Sequence, residues 1–259
     1  MNADALLEAC RGYAPAPDAF AGRVILVTGA TAGIGRAVAR DLVRHGATVI
    51  LHGRNEQTLE SLYQELKVLG PEPAVAQLDL ERAQGPQYES LTSEIEARYG
   101  RLDGVLHNAA ILGDRSPIEH YDIGLWQRVL LVNLTAPFIL TRCLLPLLRK
   151  SADASVLFTT SSVGQRGRAY WGAYAVAKAG LEGLAEVLAD ELESTRIRVN
   201  LINPGGTRTR MRSRAYPAEN PAALPSADSH APAFLYLLGP ASRDVRGQRV
   251  ELRAPQPGA

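Results

Sequence analysis

The stretch from Val24 to Gly35 decides the fold of this chain and reads V-I-L-V-T-G-A-T-A-G-I-G. Its first part is a continuous apolar run rich in β-branched residues, which is typical of a strand buried on both faces of a parallel sheet. The glycines that follow lead into R-A-V-A-R-D-L-V-R-H-G, whose apolar spacing predicts a helix that stops at Gly46. The stretch therefore predicts a strand, a glycine loop and a helix in succession.

The glycine loop has the form of a pyrophosphate-binding turn. Glycines at such a turn let backbone N–H groups approach a pyrophosphate, and the positive end of the following helix then holds it. A glycine triplet alone is a weak signal, but a second strand at Thr48–His52 completes the βαβ unit that the motif requires. We expect a dinucleotide to bind this loop at Gly29, Thr31, Gly33, Ile34 and Gly35.

Strands and helices continue to alternate along the chain. Further strands are predicted at Ala74–Leu78, Leu102–His107, Ser155–Thr160, Arg198–Ile202 and Gln248–Leu252. Helices are predicted at Asn55–Leu69, with Asn55 as its cap, at Gln84–Tyr99, at Asp122–Arg149, around Tyr174–Lys178 and at Pro232–Leu238. We expect Pro137 and Pro146 to kink or divide the long middle helix. The pattern predicts an α/β fold, a single-domain Rossmann-type doubly wound parallel sheet with helices on both faces.

Two segments are predicted to lie outside this regular alternation. Residues 1–21 contain Pro15 and Pro17 and are predicted to form an N-terminal arm that opens with a short helix at Ala3–Arg11. Residues 22–259 are predicted to form one dinucleotide-binding domain. Within it, residues 208–231 are rich in proline and arginine and are predicted to form an irregular lid.

The composition argues against several classes of function. Lys and Arg total 28 and Asp and Glu total 27, so the formal charge of +1 gives no overall field that would favour nucleic acid or a membrane as a partner. The 2 cysteines and 5 scattered histidines predict neither a disulfide framework nor a metal site. The sequence suggests no apolar run of membrane-spanning length and no signal peptide, so we expect a cytoplasmic protein.

One pair of residues indicates proton transfer. Tyr174 and Lys178 are four residues apart in a predicted helix, so their side chains share one face with Cβ atoms about 5–6 Å apart. A fixed ammonium favours the phenolate, so Lys178, together with a cationic cofactor, is expected to lower the pKa of Tyr174 towards neutral pH. The alternative is a chance pair, in which a half-buried phenol lies beside a solvated lysine.

Short motifs stand at the strand ends in a fixed order. They are T-G-x-x-x-G-I-G after the first strand, N-A-A after the fourth, an Asn in the middle helix, Ser and Y-x-x-x-K after the fifth strand, and P-G-x-x-x-T after the sixth. Over about residues 22–252 this set resembles the short-chain dehydrogenase/reductases, and T-S-S-V-G-Q-R-G-R-A-Y-W-G-A-Y-A-V-A-K is most similar to the YciK-type bacterial branch of that family. The resemblance implies an enzyme that transfers hydride between a nicotinamide cofactor and a small-molecule carbonyl or secondary alcohol.

The resemblance implies a catalytic role for particular side chains. Tyr174 would protonate the carbonyl oxygen during reduction or deprotonate the alcohol during oxidation, while Lys178 would hold the nicotinamide ribose. Ser161 would hydrogen-bond the substrate oxygen, and it is preferred to Ser162 because it lies thirteen residues before the tyrosine. Asn133 would position the water that links Lys178 to solvent. The alternative for this asparagine is an amide that mends the kinked helix.

The resemblance also implies cofactor contacts at the strand ends. Asp79 would accept a hydrogen bond from the adenine amine, Asn108 would brace the sheet beside the adenosine ribose, and Thr209 would contact the nicotinamide carboxamide. Without the resemblance these are only polar residues of strand ends and loops. The implied contacts in these regions are Asp79, Leu80, Asn108, Ala109, Tyr174, Lys178, Pro204, Gly205, Thr207 and Thr209.

The end of the second strand predicts the choice of cofactor. An acidic residue about 20 positions beyond the glycine loop accepts hydrogen bonds from the ribose 2′-OH of NAD, whereas an arginine there accommodates a 2′-phosphate. This turn reads L-H-G-R-N and contains no acid, so Arg54 is expected to bind the phosphate and NADP(H) is preferred over NAD(H). The alternative is an exposed arginine that only pairs with Glu56.

Alternatives for function and assembly stay open at this point. The first is the enzyme described above, and the second is a nucleotide-binding regulatory or scaffold protein of the same fold without turnover. The resemblance implies a homodimer or homotetramer that assembles through the helices of Asn133 and Tyr174. Arginines are dense in the predicted lid and in the loop before Tyr174, where they would bind an anionic substrate or the cofactor pyrophosphate, or remain solvated. These arginines are Arg166, Arg168, Arg208, Arg210, Arg212 and Arg214.

Overall fold

The computed structural model describes residues 2–252, so the end of the predicted domain, residues 253–259, lies outside the described residues. The strands are β1 (Val24–Thr28), β2 (Thr48–Gly53), β3 (Ala74–Gln77), β4 (Gly104–His107), β5 (Ala154–Thr159), β6 (Ile197–Asn203) and β7 (Arg249–Glu251). They form one sheet in the order β3-β2-β1-β4-β5-β6-β7, and every pairing is parallel. The predicted fold class is confirmed.

Helices cover both faces of this sheet. They are α1 (Ala3–Arg11), α2 (Gly33–Arg44), α3 (Glu56–Leu66), α4 (Gly85–Tyr99), α5 (Ile123–Leu130), α6 (Ala136–Leu148), α7 (Ser162–Gln165), α8 (Gly172–Glu191), α9 (Arg210–Ala215) and α10 (Ala231–Leu238). Buried side chains of α1, α2, α3 and α10 form one core cluster with the sheet, and those of α4, α6 and α8 form another. Since β1 leads to one face and β4 to the other, a crevice opens between their carboxyl ends.

Local sequence signals account for the boundaries of several elements. The side chain of Asn55 accepts a hydrogen bond of 2.9 Å from the backbone N–H of Thr58 and so caps α3, as predicted. The predicted middle helix is divided by a π turn, Leu131–Thr135, which ends just before Pro137. Proline is tolerated in the first turn of α6, where its missing N–H has no helical partner. Pro146 lies inside α6 without dividing it.

The stretch that contains this π turn is long and apolar enough to cross a membrane by length and composition. It lies within Ile123–Leu148, where an 18-residue window has a mean hydropathy of 1.7, so the expectation that no such run exists was wrong. Leu140, Leu144 and Leu148 on α6 are buried in the core cluster beside α4 and α8. The stretch is a core helix of the domain, and its apolar character follows from that packing.

The N-terminal segment packs closely on the domain. The short helix has the predicted bounds, and Leu6 and Cys10, four residues apart on one face of it, are buried together with Phe20 in the core cluster of α2 and α10. Arg11 donates hydrogen bonds of 2.6 and 3.2 Å to the carbonyl of Leu252. In the structure these residues belong to the core, although the sequence places them in an arm.

Candidate active site

A cleft of about 920 Å³ lies at the carboxyl ends of the strands, where the sheet order reverses between β1 and β4. It collects most of the residues for which the sequence predicts a role. Those that line it are Gly29, Thr31, Gly33, Ile34, Arg54, Asp79, Leu80, Asn108, Ala109, Ser161, Tyr174, Lys178, Pro204, Gly205, Thr207 and Thr209. The two other predicted residues, Gly35 and Asn133, do not line the cleft.

Gly35 and Gly29 hold the glycine loop tightly against the end of β4. A Cβ at Gly35 would lie 2.3 Å from the carbonyl oxygen of Gly29 and 2.7 Å from Nδ2 of Asn108. Gly29 has a φ of 65°, and a Cβ there would lie 2.9 Å from Cα of Ala109. Both positions therefore require glycine, and Gly33 and Ile34 at the start of α2 line the cleft.

Thr28 is a positioning residue that sequence reasoning missed. Its hydroxyl accepts hydrogen bonds of 2.9 Å from the N–H of Asn108 and 3.0 Å from the N–H of Ala109, and it donates one of 3.1 Å to the carbonyl of Leu106. The side chain thus ties the end of β1 to the end of β4. Its position as the last residue of the buried strand was the available signal, because a hydroxyl there must find partners.

Arg54 lines the end of the cleft that lies beyond β2. Its side chain is exposed and makes no ion pair within residues 2–252, so the predicted alternative of a pair with Glu56 is absent there. Asp79, at the end of β3, accepts a hydrogen bond of 3.1 Å from the N–H of Glu81, and both acids line the same region. The guanidinium of Arg54 is therefore available to a ligand.

Tyr174 and Lys178 lie together on the buried face of α8. Lys178 Nζ lies 5.7 Å from the centroid of the Tyr174 ring and donates a hydrogen bond of 2.8 Å to the carbonyl of Thr159. Tyr174 is 8% exposed and Lys178 is 3% exposed, so the alternative of a solvated lysine does not apply. The end of β5 therefore fixes the ammonium beside the phenol.

The pKa shifts of this pair differ from the sequence prediction. Burial raises the pKa of Tyr174 to about 12, whereas we expected Lys178 to lower it. Burial also lowers the pKa of Lys178 to about 8, and the nearby charge of Glu182 partly offsets this shift. Desolvation disfavours the charged form of each group and is the main cause of both shifts. In this arrangement the phenol keeps its proton at neutral pH.

Ser161 and Ser162 both line the cleft between β5 and α8. Ser161 is half-buried and directly precedes α7, whereas Ser162 is the first residue of α7 and is exposed. The carbonyl of Ser161 accepts a hydrogen bond of 3.3 Å from Nη2 of Arg249. The backbone of Ser161 is thus tied to β7, and the preference for its hydroxyl over that of Ser162 stays a prediction.

Glu182, one helical turn beyond Lys178 on α8, contacts the loop between β5 and α7. Its carboxylate accepts hydrogen bonds of 2.5 Å from the hydroxyl of Thr160 and 3.1 Å from Nε of Arg249. A Cβ at Gly164 would lie 2.6 Å from Oε1 of Glu182, which explains the glycine three residues after Ser161. Sequence reasoning missed both Glu182 and Arg249, although the spacing of four from Lys178 already placed Glu182 on the same helical face.

Asn133 braces the loop after β4. Its Oδ1 accepts a hydrogen bond of 2.8 Å from the N–H of Ile111, and its Nδ2 donates one of 2.8 Å to the carbonyl of the same residue. Both polar groups of this amide thus bind one loop residue that lines the cleft. The alternative of an amide that mends its own helix is wrong for this side chain, because its partners lie in the β4 loop.

Aromatic rings form a wall next to Tyr174. The ring centroid of Trp171 lies 5.7 Å from that of Tyr174 and 5.9 Å from that of Tyr216. The guanidinium of Arg115 lies 5.0 Å from the Trp171 centroid and 4.9 Å from the Tyr216 centroid, within the range of a cation–π interaction. Of the arginines that sequence reasoning singled out, Arg168, Arg208, Arg210 and Arg212 line the cleft.

The chain matches the short chain dehydrogenase family over residues 23–220. It belongs to that family. The match takes in the glycine loop, the Tyr174–Lys178 pair and the first part of the predicted lid. The resemblance stated from the motifs is thus confirmed.

Individual relatives cover nearly the whole chain. The uncharacterized oxidoreductase YciK of Escherichia coli K12 is 47% identical, with 95% of this chain and 96% of that protein covered. The structure of a short chain dehydrogenase from Shigella flexneri has a TM-score of 0.92 at 46% identity and covers 95% of this chain and 98% of its own. A structure from Escherichia coli CFT073 in complex with NADPH has a TM-score of 0.90 at 47% identity, with 93% and 100% covered.

Membership of the short chain dehydrogenase family decides between the two classes of function that the sequence left open. This protein is an oxidoreductase of CH–OH or C=O groups, as predicted, and the alternative of a scaffold without turnover is set aside. Within residues 2–252, no group of three or more His, Cys, Asp or Glu side chains is arranged to hold a metal ion.

Proposed function

We propose that this protein is an NADP(H)-dependent oxidoreductase that transfers hydride between the nicotinamide and a small-molecule carbonyl or secondary alcohol, with Tyr174 as the general acid and base. The observation that carries the proposal is the buried pair of Tyr174 and Lys178 at the wall of a cleft that also contains the glycine loop. A cleft with a positioned proton donor and a dinucleotide cradle is what this chemistry requires.

The residues present fit a bound NADP(H). Gly33 and Ile34 at the start of α2 line the cleft where a pyrophosphate would meet the helix N-terminus, and the unpaired guanidinium of Arg54 suits the 2′-phosphate. The relative solved in complex with NADPH supports this choice of cofactor. When bound, the cofactor supplies or accepts the hydride, and the side chains of this chain provide the proton transfer and the orientation.

The protonation state of Tyr174 in the free site is the one that carbonyl reduction uses. Because burial raises the pKa of Tyr174 to about 12, its hydroxyl is a proton donor at neutral pH. In the proposed reduction the carbonyl carbon receives hydride and its oxygen receives the proton of Tyr174. Ser161 would hydrogen-bond that oxygen, and Lys178 would hold the ribose while its charge stabilises the phenolate that forms.

We propose that Asn133 acts through the backbone it holds. Its paired hydrogen bonds fix Ile111, a residue of the cleft wall, and its position in the π turn next to α8 is compatible with the water that the family resemblance implies beside Lys178. Asp79, Leu80 and Asn108 would contact the adenosine half of the cofactor. Pro204, Gly205, Thr207 and Thr209 would contact the nicotinamide half.

We further propose a cytoplasmic homodimer or homotetramer that assembles through α5, α6 and α8. Phe138 on α6 is 48% exposed and Val187 on α8 is 56% exposed, so both helices present apolar side chains outward. Light scattering after size-exclusion chromatography tests the assembly, and a monomeric mass would contradict it.

A panel of aldehydes, ketones and quinones, assayed by the loss of NADPH absorbance, tests the function. We expect at least one carbonyl class to be reduced with stoichiometric consumption of NADPH. A Lys178→Ala variant serves as the control for background reduction. No consumption above that background across the panel, with secondary alcohols and NADP⁺ equally inert, would overturn the proposal.

A further inference from the structure

The half of the cleft that surrounds Tyr174 carries charge of one sign. The charged side chains that line it from the loops after β5 and β6 are Arg168, Lys178, Arg208, Arg210 and Arg212. The acids that line the cleft within residues 2–252, Asp79 and Glu81, follow β3 at the opposite end. The substrate end therefore has a positive potential, which low-dielectric walls strengthen.

Part of this charge is compensated within the protein. The guanidinium of Arg212 makes two hydrogen bonds of 2.6 Å to the carboxylate of Glu219, and Lys178 is held by a backbone carbonyl. The side chains of Arg168, Arg208 and Arg210 make no hydrogen bond or ion pair with any residue that the structure describes. These three guanidinium groups, which we call the open arginines, are available to a ligand.

The turn before α8 places one open arginine and one aromatic ring on the same side of the cleft. The N–H of Trp171 donates a hydrogen bond of 3.2 Å to the carbonyl of Arg168, and Tyr170 between them has a φ of 71°. A positive φ is uncommon for a bulky residue and indicates a conformation that the surroundings enforce. As a result, both Arg168 and Trp171 line the cleft, while Arg166 does not.

The same end of the cleft offers an apolar surface for the body of a substrate. Leu112, Met211 and Ala215 line it together with the Trp171 and Tyr216 rings. Arg115 stacks on both rings and donates a hydrogen bond to the carbonyl of Ala215, so the aromatic wall is held in place. The guanidinium of Arg212 covers the Tyr216 ring at 3.8 Å from its centroid, so a flat apolar group would pack on the part of the wall near Trp171, beside Tyr174.

We propose that the substrate is a carbonyl compound with a flat apolar body and an anionic group, a carboxylate or a phosphate, that the open arginines bind. This inference rests on the proposed function and names its substrate class. The arginines provide the planar fork that suits carboxylate and phosphate oxygens, and the aromatic wall orients the body so that the carbonyl faces Tyr174. Charge-assisted contacts of this kind change affinity by about ten- to a hundredfold.

The experiment compares three aldehydes of one shape with NADPH as reductant. They are 4-carboxybenzaldehyde, its uncharged methyl ester and 4-formylphenyl phosphate. We expect kcat/KM for the two anions to exceed that for the ester by about tenfold or more at low salt, with the difference decreasing as salt screens the arginines. The better of the two anions identifies the anionic group.

Arginine substitutions test which side chains cause the preference for anionic aldehydes. Arg168→Ala and the double variant Arg208→Ala/Arg210→Ala should raise KM for the preferred anion about ten- to a hundredfold and leave kcat/KM for the ester unchanged. Arg166→Ala and Arg214→Ala are the matched controls, because these arginines lie in the same two segments but do not line the cleft. Calorimetric binding of the same anion to the protein loaded with NADP⁺ repeats the comparison without turnover.

The outcomes separate this inference from the proposed function. If the ester and the anions react equally and the variants leave KM unchanged, the substrate class is wrong while the oxidoreductase function stands. If the variants weaken binding of NADPH itself, the open arginines serve the cofactor phosphates and the inference is overturned. If none of the aldehydes reacts, the calorimetric arm still decides whether the open arginines bind the anion.

Discussion

Glu182 accepts a hydrogen bond of 2.5 Å from the hydroxyl of Thr160 and lies one helical turn beyond Lys178. Through Arg249 the same carboxylate reaches β7, because Arg249 also pairs with Glu251. Glu251 accepts a hydrogen bond of 2.7 Å from Asn203 at the end of β6. The two loops that line the substrate end of the cleft are therefore connected by one network of polar side chains.

Replacement of Glu182 by Gln should move the pH dependence of catalysis. Burial lowers the pKa of Lys178 to about 8, and the charge of Glu182 opposes that shift. Removal of the Glu182 charge should therefore lower the pKa of Lys178 below this value. Lys178 then loses its proton at a lower pH, and the alkaline limb of the kcat/KM profile shifts to lower pH. Steady-state kinetics across pH 6 to about 10 measure the shift.

The matched control for this variant is Glu186→Gln, one turn further along α8 and exposed. Glu186→Gln should change neither the acidic nor the alkaline limb of the pH profile of kcat/KM. Circular dichroism and NADPH binding confirm that each variant is folded. An alkaline limb that stays in place in folded Glu182→Gln would show that the carboxylate supports only the loop.

Tyr174→Phe should abolish turnover and leave cofactor binding nearly intact. The substitution removes the proposed proton donor while the ring keeps its packing against Trp171. Positioned acid catalysis contributes about 10²–10⁴-fold, so kcat should fall by at least that range. NADPH fluorescence titration provides the binding control, and an unchanged kcat in the Phe variant would contradict the assignment.

The two serines give a related comparison. Ser161→Ala should lower kcat more than Ser162→Ala, because Ser161 is anchored by Arg249 and half-buried, whereas Ser162 is exposed at the start of α7. Parallel kinetics of both variants with one carbonyl substrate measure the difference. The reverse order would assign the substrate hydrogen bond to Ser162.

The fold could be predicted from the sequence because its signals are local. The apolar run at Val24–Thr28, the capping side chain of Asn55 and the glycine loop each act over a few residues, and the structure has them where they were predicted. The packing of α1 on the core was missed since an apolar face of two residues, Leu6 and Cys10, gives little periodic signal.

The site was predictable only where residues close in sequence cooperate. Tyr174 and Lys178 are four apart, so their common face follows from helix geometry. The partners of Glu182 and Asn133 come from other elements, and no spacing in the chain reveals them. The raised pKa of Tyr174 in the free site could not be predicted for the same reason, because it depends on burial by the whole fold and not on the neighbouring lysine alone.

Two buried histidines should make the protein less stable in acid. Burial lowers the pKa of His52 to about 4 and that of His107 to about 3, with the charge of Lys178 adding to the effect on His107. In the unfolded chain these histidines have the ordinary pKa of 6.5. Between pH 6.5 and the lowered pKa values of the folded protein, the unfolded chain therefore binds more protons than the native state. The free energy of unfolding should fall as pH drops through that window, by about 3 kcal/mol per histidine at pH 4.

Urea denaturation between pH 7 and pH 4 measures this loss, and His107→Asn tests its source. Asparagine can still bond the hydroxyl of Thr141, which lies 2.8 Å from Nε2 of His107, but it does not titrate. The variant should lose about half of the acid sensitivity, whereas exposed His120→Asn should lose none. A stability that does not change between pH 6.5 and 4 would contradict the burial of neutral imidazoles.

Arg54→Ala should remove the preference for NADPH over NADH. The guanidinium lines the cofactor end of the cleft without an ion pair within residues 2–252, and a 2′-phosphate would give it a charge-assisted partner. The lost contact should weaken NADPH binding by about ten- to a hundredfold and leave NADH binding unchanged. Titration of both cofactors against wild type and Arg54→Ala measures this, with Arg149→Ala, an exposed arginine outside the cleft lining, as the control. Equal wild-type affinities for the two cofactors, or undiminished NADPH binding by Arg54→Ala, would refute the assignment of Arg54.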